Sequence, residues 1–127
     1  MAGELSGKTI LLVDDDRDIL TAIKAALEDL GPEIIAACDG NQAVELAEKK
    51  QPDLIILDMM LPKRSGFLVA EKIKRPKAQG TPPKIIMITG NPGSRHKVYA
   101  ESLGVDKYLN KPFRMEVLIE AVKELLR

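Results

Sequence analysis

Three aspartates, Asp14, Asp15 and Asp16, close the first apolar run of the chain in "LLVDDDRDIL". A single Asp58 closes another, in "DLIILD", while Thr89 ends "KIIMIT" and Lys111 follows "KYLN". Carboxylates gathered together repel one another and raise each other's pKa unless a positive group settles among them. A hard divalent cation resolves that repulsion, and magnesium commonly takes only one or two carboxylates, several waters and phosphate oxygens. A hydroxyl (Thr89) and an ammonium (Lys111) are the complementary groups for holding phosphate oxygens. Phosphoryl transfer is catalysed largely by positioning and charge stabilisation, and an aspartate can serve as its nucleophile through an acyl phosphate. The inference requires that these residues, nearly a hundred positions apart, meet.

The elements between them supply the means. Five short apolar runs, "TILLV", "EIIAA", "DLIIL", "KIIMI" and the weaker "KYLN", read as strands. The first, third and fourth are nearly continuous Ile, Leu, Val and Met, the pattern of strands covered on both faces. Between them, Ile19, Leu20, Ile23, Ala26, Leu27 and Leu30 mark one face of a helix that stops at Gly31-Pro32. A second helix runs from about Gln42 to Lys50, a third from near Ser65 to before Pro76, and a fourth, poorly periodic, from about Arg95 to Leu103. The closing helix carries Met115, Leu118, Ile119, Val122, Leu125 and Leu126 on one stripe. Strand and helix alternating five times with short connections predict a doubly wound α/β fold with a parallel sheet and right-handed crossovers. In such sheets ligands sit beyond the carboxyl ends of the strands, where Asp14, Asp15, Asp58, Thr89 and Lys111 all fall.

Composition bounds the rest. The 127 residues suit one domain, expected over 1–127, with no output domain after Leu126 and Arg127. Lys plus Arg and Asp plus Glu each number 19, so no overall field draws the chain to nucleic acid or anionic membrane. The lone Cys38 excludes an internal disulfide and reads as a small buried side chain, compatible with a reducing cytoplasm. No apolar run reaches the length of a membrane span.

The pieces "ILLVDDD", "PDLIILDMMLPKRSG", "IIMITG" and "YLNKPF" occur in the order and spacing of the bacterial response-regulator receiver domain, which the chain resembles over nearly its whole length. The resemblance implies the sheet order 2-1-3-4-5 and a phospho-acceptor signalling switch rather than a turnover enzyme. It assigns phosphorylation to Asp58, direct magnesium ligation to Asp15, water-mediated ligation to Asp14 and a further ligand to the backbone carbonyl of Met60. Lys111 would contact the phosphoryl group, Thr89 would move toward it, and Tyr108 would be the aromatic that turns inward, altering the surface of the fourth helix, fifth strand and fifth helix. The implied partners are a histidine kinase or histidine phosphotransfer protein and a downstream protein target. Whether two phosphorylated copies pair through that surface stays open, as does a stand-alone chain against one part of a longer regulator. Gly90 stands where the family often has alanine, and Met60 and Asn91 occupy positions that influence hydrolysis of the phosphate.

Competing readings have weaker support. Asp16 is expected to cap the first helix. A haloacid-dehalogenase-like phosphatase using Asp14 as nucleophile would need an acidic ligand after Lys111, where only Glu116, Glu120 and Glu124 follow, all within the last helix. A flavin phosphate would be repelled by the carboxylates. A phosphate-independent interaction module of the same fold leaves the acidic trio without a purpose. The lone His96 between Arg95 and Lys97 is expected on the solvated surface, and the basic run Lys72, Lys74, Arg75 and Lys77 on the polar face and end of the third helix.

Overall fold

The computed structural model describes residues 3–75, 81–90 and 94–127. Lys77 and Asn91 lie outside them. Five parallel strands, β1 (Thr9–Val13), β2 (Glu33–Ala37), β3 (Leu54–Asp58), β4 (Lys84–Thr89) and β5 (Lys107–Asn110), form one sheet in the order β2-β1-β3-β4-β5. They alternate with α1 (Arg17–Glu28), α2 (Gly40–Lys50), α3 (Gly66–Lys74), α4 (Ser94–Ser102) and α5 (Met115–Leu126). The layout is that expected from the resemblance.

Successive strand side chains point to opposite faces, so each central strand feeds two cores. Ile10, Leu12, Leu54, Ile56, Ile86 and Ile88 pack against α1 and α5 through Leu20, Ile23, Leu27, Leu118 and Val122. Leu11, Val13, Ile55, Leu57, Ile85 and Met87 pack against α2, α3 and α4 through Ala43, Ala47, Val69, Ile73 and Ala100. Covering on both faces explains the unbroken apolar runs of β1, β3 and β4. The edge strands β2 and β5 are only partly buried, which accounts for their polar positions.

Helix boundaries follow local chemistry. Asp16 caps α1 as expected, its carboxylate accepting from the Asp18 and Ile19 N–H groups at 2.9 and 3.4 Å. Asp39 caps α2 by accepting from Gln42 N–H at 2.8 Å, so that helix starts two residues before the expected Gln42. Ser65 caps α3. Two expectations need correction. Cys38 is half-buried at the rim of the α1/α5 core rather than enclosed. His96 does not simply face solvent: its ring stacks on Phe67 of α3 with centroids 5.9 Å apart, and Tyr99 meets the same Phe67 edge-on at 4.9 Å. A single aromatic anchor therefore docks α4 where its sequence lacks an apolar stripe.

Candidate functional site

Strand register brings the distant residues together. Val13 pairs with Leu57, so Asp14, one step on, is level with Asp58; Asp58 pairs with Ile88, and Thr89 with Asn110, beside Lys111. The alternation of faces sorts them further. Asp58 shares the face of Leu54 and Ile56, while Thr89 shares the opposite face with Met87 and, in register, Tyr108.

At this rim Asp14, Asp15 and Asp58 each offer a carboxylate oxygen, all within 4.8 Å of one another. Asp14 and Asp58 are buried, at 4% and 5% exposure, whereas Asp15 is exposed. Lys111 bridges the buried pair, with Nζ 3.2 Å from Asp14 Oδ2 and 3.8 Å from Asp58 Oδ1. Asp14 also accepts from the Asp16 N–H at 2.9 Å, and Asp58 from the Met60 N–H at 3.3 Å. These contacts do not fully compensate the burial of Asp58. Its pKa rises from the ordinary 3.8 to about 6, first because burial penalises the charged form and second because Asp14 is negative beside it; Lys111 and the Met60 N–H pull the other way.

Thr89 is wholly buried at the end of β4, and its carbonyl accepts from the Lys111 N–H at 2.7 Å, tying the Lys111 backbone to β4. Tyr108 lies outside the carboxylate cluster. Its hydroxyl is enclosed and, among the described residues, has no hydrogen bond of good geometry. Burial pushes the phenol pKa up, and the nearby Thr89 side chain, in a loose contact, draws it back. The residue as a whole is half-buried, packed against the α2/α3/α4 core. Met60 carries an exposed side chain, at 67%. Gly90 is exposed, and among the described residues nothing but its chain neighbours stands within 4 Å of where its side chain would be.

The site also depends on a residue that chemistry alone does not flag. A Cβ on Gly66 would run into the Asp58 carbonyl oxygen and stand 2.7 Å from Met59 Cα. Only glycine lets α3 begin against the end of β3, where the Gly66 N–H donates to the Met59 carbonyl at 2.8 Å. Its signal in the sequence was its fixed place in "PDLIILDMMLPKRSG". Asp106 was missed altogether. It accepts from the Ile85 N–H and from Lys74 Nζ, both at 2.9 Å, joining α3, β4 and the approach to β5. Lys74 is therefore an internal tether rather than part of a solvated basic face, and its side chain is only 15% exposed.

Comparison with known proteins agrees with this geometry. The family model described as response regulator receiver domain matches residues 10–123. The chain is 39% identical over 120 residues to the alkaline phosphatase synthesis transcriptional regulatory protein PhoP of Bacillus subtilis, covering 94% of this chain and 49% of that protein. It is 40% identical over 121 residues to the phosphate regulon transcriptional regulatory protein PhoB of Pseudomonas aeruginosa, covering 95% and 52%. The chain thus spans about half the length of these curated relatives. Among solved structures, a CheY-like response regulator receiver domain protein from Methanospirillum hungatei JF-1 superposes with a TM-score of 0.85 at 34% identity, covering 94% of this chain and 93% of that one. The chemotaxis response regulator CheY4 of Vibrio cholerae gives 0.84 at 29%, covering 94% and 98%. Receiver domains are signalling switches rather than turnover enzymes, and with its sequence, topology and acidic rim in agreement, this chain belongs to the response regulator receiver-domain family.

Proposed function

We propose that the protein is a magnesium-dependent phospho-acceptor switch in which Asp58 takes a phosphoryl group from a histidine kinase or histidine phosphotransfer protein. The observation that carries this reading is the set of three carboxylates within 4.8 Å of one another with Lys111 bridging the buried two. Oxygen-only donors, partly buried and open to water on the Asp15 side, fit magnesium better than a softer ion. Asp14, Asp15, Asp58 and the Met60 carbonyl would hold it. Bound there, magnesium supplies charge stabilisation to the oxygens of the phosphoryl group during transfer.

An Asp58 carboxylate oxygen attacks phosphorus as the phosphorus–nitrogen bond of the donor phosphohistidine breaks, and the imidazole leaves with the electron pair and takes up a proton. Lys111, already between Asp14 and Asp58, pairs with the developing phosphoryl charge. The product carries about 1.5 to 2 negative charges. Thr89 then donates its hydroxyl to a phosphoryl oxygen, and the loose Thr89–Tyr108 contact transmits that movement to α4, β5 and α5. The protein operates as a two-state equilibrium whose inward-Tyr108 member the phosphoryl group favours. Its reader is a downstream protein target that recognises the α4/β5/α5 surface. In a longer regulator of the kind its relatives represent, this domain controls the output without touching nucleic acid itself. The cytoplasm, where kinase and phosphodonor are available, is its compartment; among the described residues no helix is long and apolar enough to cross a membrane.

Intact-mass spectrometry after incubation with magnesium and acetyl phosphate tests the reading. One added phosphoryl group in the natural protein, absent from Asp58→Ala and from a chelated sample, is the expected result. No addition to a folded protein would favour a phosphate-independent interaction module.

A further inference from the structure

We infer that Gly40, at the first position of α2, is a positioning residue for the cation site: by lacking a side chain it lets the loop between β3 and α3 seat where the Met60 carbonyl is held. The inference rests on the magnesium reading above and extends it to a residue that touches neither metal nor phosphate.

Residues 59–65 leave Asp58 and must return to start α3. Both ends are fastened by main-chain hydrogen bonds, Met59 N–H to the Ile88 carbonyl at 2.8 Å and Gly66 N–H to the Met59 carbonyl at 2.8 Å. In the middle, Leu61 packs against the core on this face, and the main-chain hydrogen bonding to another element runs to α2. The Gly40 N–H donates to the Pro62 carbonyl at 3.2 Å, and Pro62 also accepts from the Arg64 N–H at 2.7 Å. Lys63, between them, adopts a left-handed φ of 67°, unusual for a residue with a side chain. Asp39, which caps α2, reaches Lys63 Nζ at 3.6 Å. A Cβ on Gly40 would collide with the Arg64 carbonyl oxygen and lie 2.7 Å from the Arg64 carbonyl carbon. Both are backbone atoms, so no rotamer change relieves the clash and the loop itself must retreat.

Met60 is two residues before Pro62. Its side chain is exposed and offers the backbone little anchorage, and its N–H bond to Asp58 is long, at 3.3 Å. The Gly40–Pro62 clamp, with Leu61 seated against the core beside it, is therefore the main-chain fixture that positions the loop on that side of the Met60 carbonyl. Outer-shell partners of this kind typically govern metal affinity without contacting the ion.

Coupling is reciprocal: if the clamp favours cation binding, the cation strengthens the clamp. The test is a magnesium titration followed by amide NMR on the natural protein and on Gly40→Ala, with Val122→Ala, on the opposite face of the sheet, as a comparably destabilised control. Gly40→Ala should weaken magnesium binding about tenfold, with Val122→Ala unchanged. Phosphorylation of Gly40→Ala by acetyl phosphate should recover at saturating magnesium. In the natural protein, saturating magnesium should slow hydrogen exchange of the Gly40 amide several-fold more than that of Leu46 within α2. This last measurement stands even where Gly40→Ala fails to fold. Unchanged affinity in a folded Gly40→Ala, or a Gly40 amide indifferent to magnesium that binds elsewhere at the site, overturns the inference while leaving the phospho-acceptor reading intact. A natural protein that binds no magnesium overturns both.

Discussion

Asp58→Asn should make the protein more stable, because the structure holds that carboxylate at a cost. Its pKa in the fold is about 6 against an ordinary 3.8. Folding therefore favours the protonated form: the favourable contribution is fully present below 3.8 and is lost as pH rises through about 6. A difference of 2.2 units corresponds to a ceiling of about 3 kcal/mol at pH 7.5. Water reaches the rim on the Asp15 side, so we expect about 1 to 2 kcal/mol of that to be realised. Asparagine is neutral, keeps an oxygen for the Met60 N–H and leaves Lys111 its closer partner Asp14 at 3.2 Å. For a chain of this size the gain corresponds to roughly 4 to 8 °C in Tm. Calorimetry in chelator at pH 7.5 and at pH 5 reads it, and the same linkage relation leaves about half the gain at the lower pH. Magnesium should narrow the gap, since binding at ten times Kd stabilises the natural protein by about 1.4 kcal/mol and the variant by less. An Asp58→Asn protein no more stable than the natural one in chelator, or a gain indifferent to pH, would refute the account of the site as a strained carboxylate cluster.

Replacing Lys111 by Met removes the ammonium beside both buried carboxylates; phosphorylation by acetyl phosphate, timed by intact mass, should slow about a hundredfold, and an unchanged rate in a folded variant would remove Lys111 from the chemistry. Gly66→Ala forces apart the end of β3 and the start of α3, so urea unfolding should show a loss of roughly 2 to 4 kcal/mol; a loss under 0.5 would mean the junction yields freely. Asp106→Ala strands the Ile85 N–H and Lys74 together and should cost about 2 to 3 kcal/mol, with Lys74→Ala costing less, because the backbone donor keeps its acceptor. Phosphorylation should shift amide NMR signals across residues 94–110; shifts confined to the immediate neighbours of Asp58 would count against the Thr89–Tyr108 route.

What could be read from the sequence divides along physical lines. Apolar runs of period two or fully apolar character, capping aspartates and Gly or Pro stops are local, and they placed every strand and helix to within about two residues. The gathering of these side chains was legible because a parallel sheet puts all strand ends of one kind on one rim, so residue type plus strand end sufficed to bring Asp14, Asp15, Asp58, Thr89 and Lys111 to that rim. What escaped was three-dimensional contact at close range. Gly40 looks like any glycine until its missing side chain is seen to admit another segment's backbone. Asp106 looks like a loop residue until its carboxylate meets the Ile85 N–H, and His96 looks solvated until Phe67 is found beneath it.

If Asp58 is phosphorylated as proposed, the same rim that stores the unfavourable charge would let a modest covalent change act at a distance. Asp14 and Asp58 share one face with the α1/α5 core, whereas Thr89 and Tyr108 share the other, toward α4. A phosphoryl group added to Asp58 would relieve the carboxylate it modifies and would place new acceptor oxygens at the boundary between these faces, where Thr89 is the buried hydroxyl at the end of β4. One of the helices on that second face, α4, is joined to the core chiefly through Ala100 and the Phe67 stack rather than a full apolar stripe. Little packing would have to be broken for it to shift, so an interaction of a few kcal/mol at Thr89 would be commensurate with the movement the proposed switch requires.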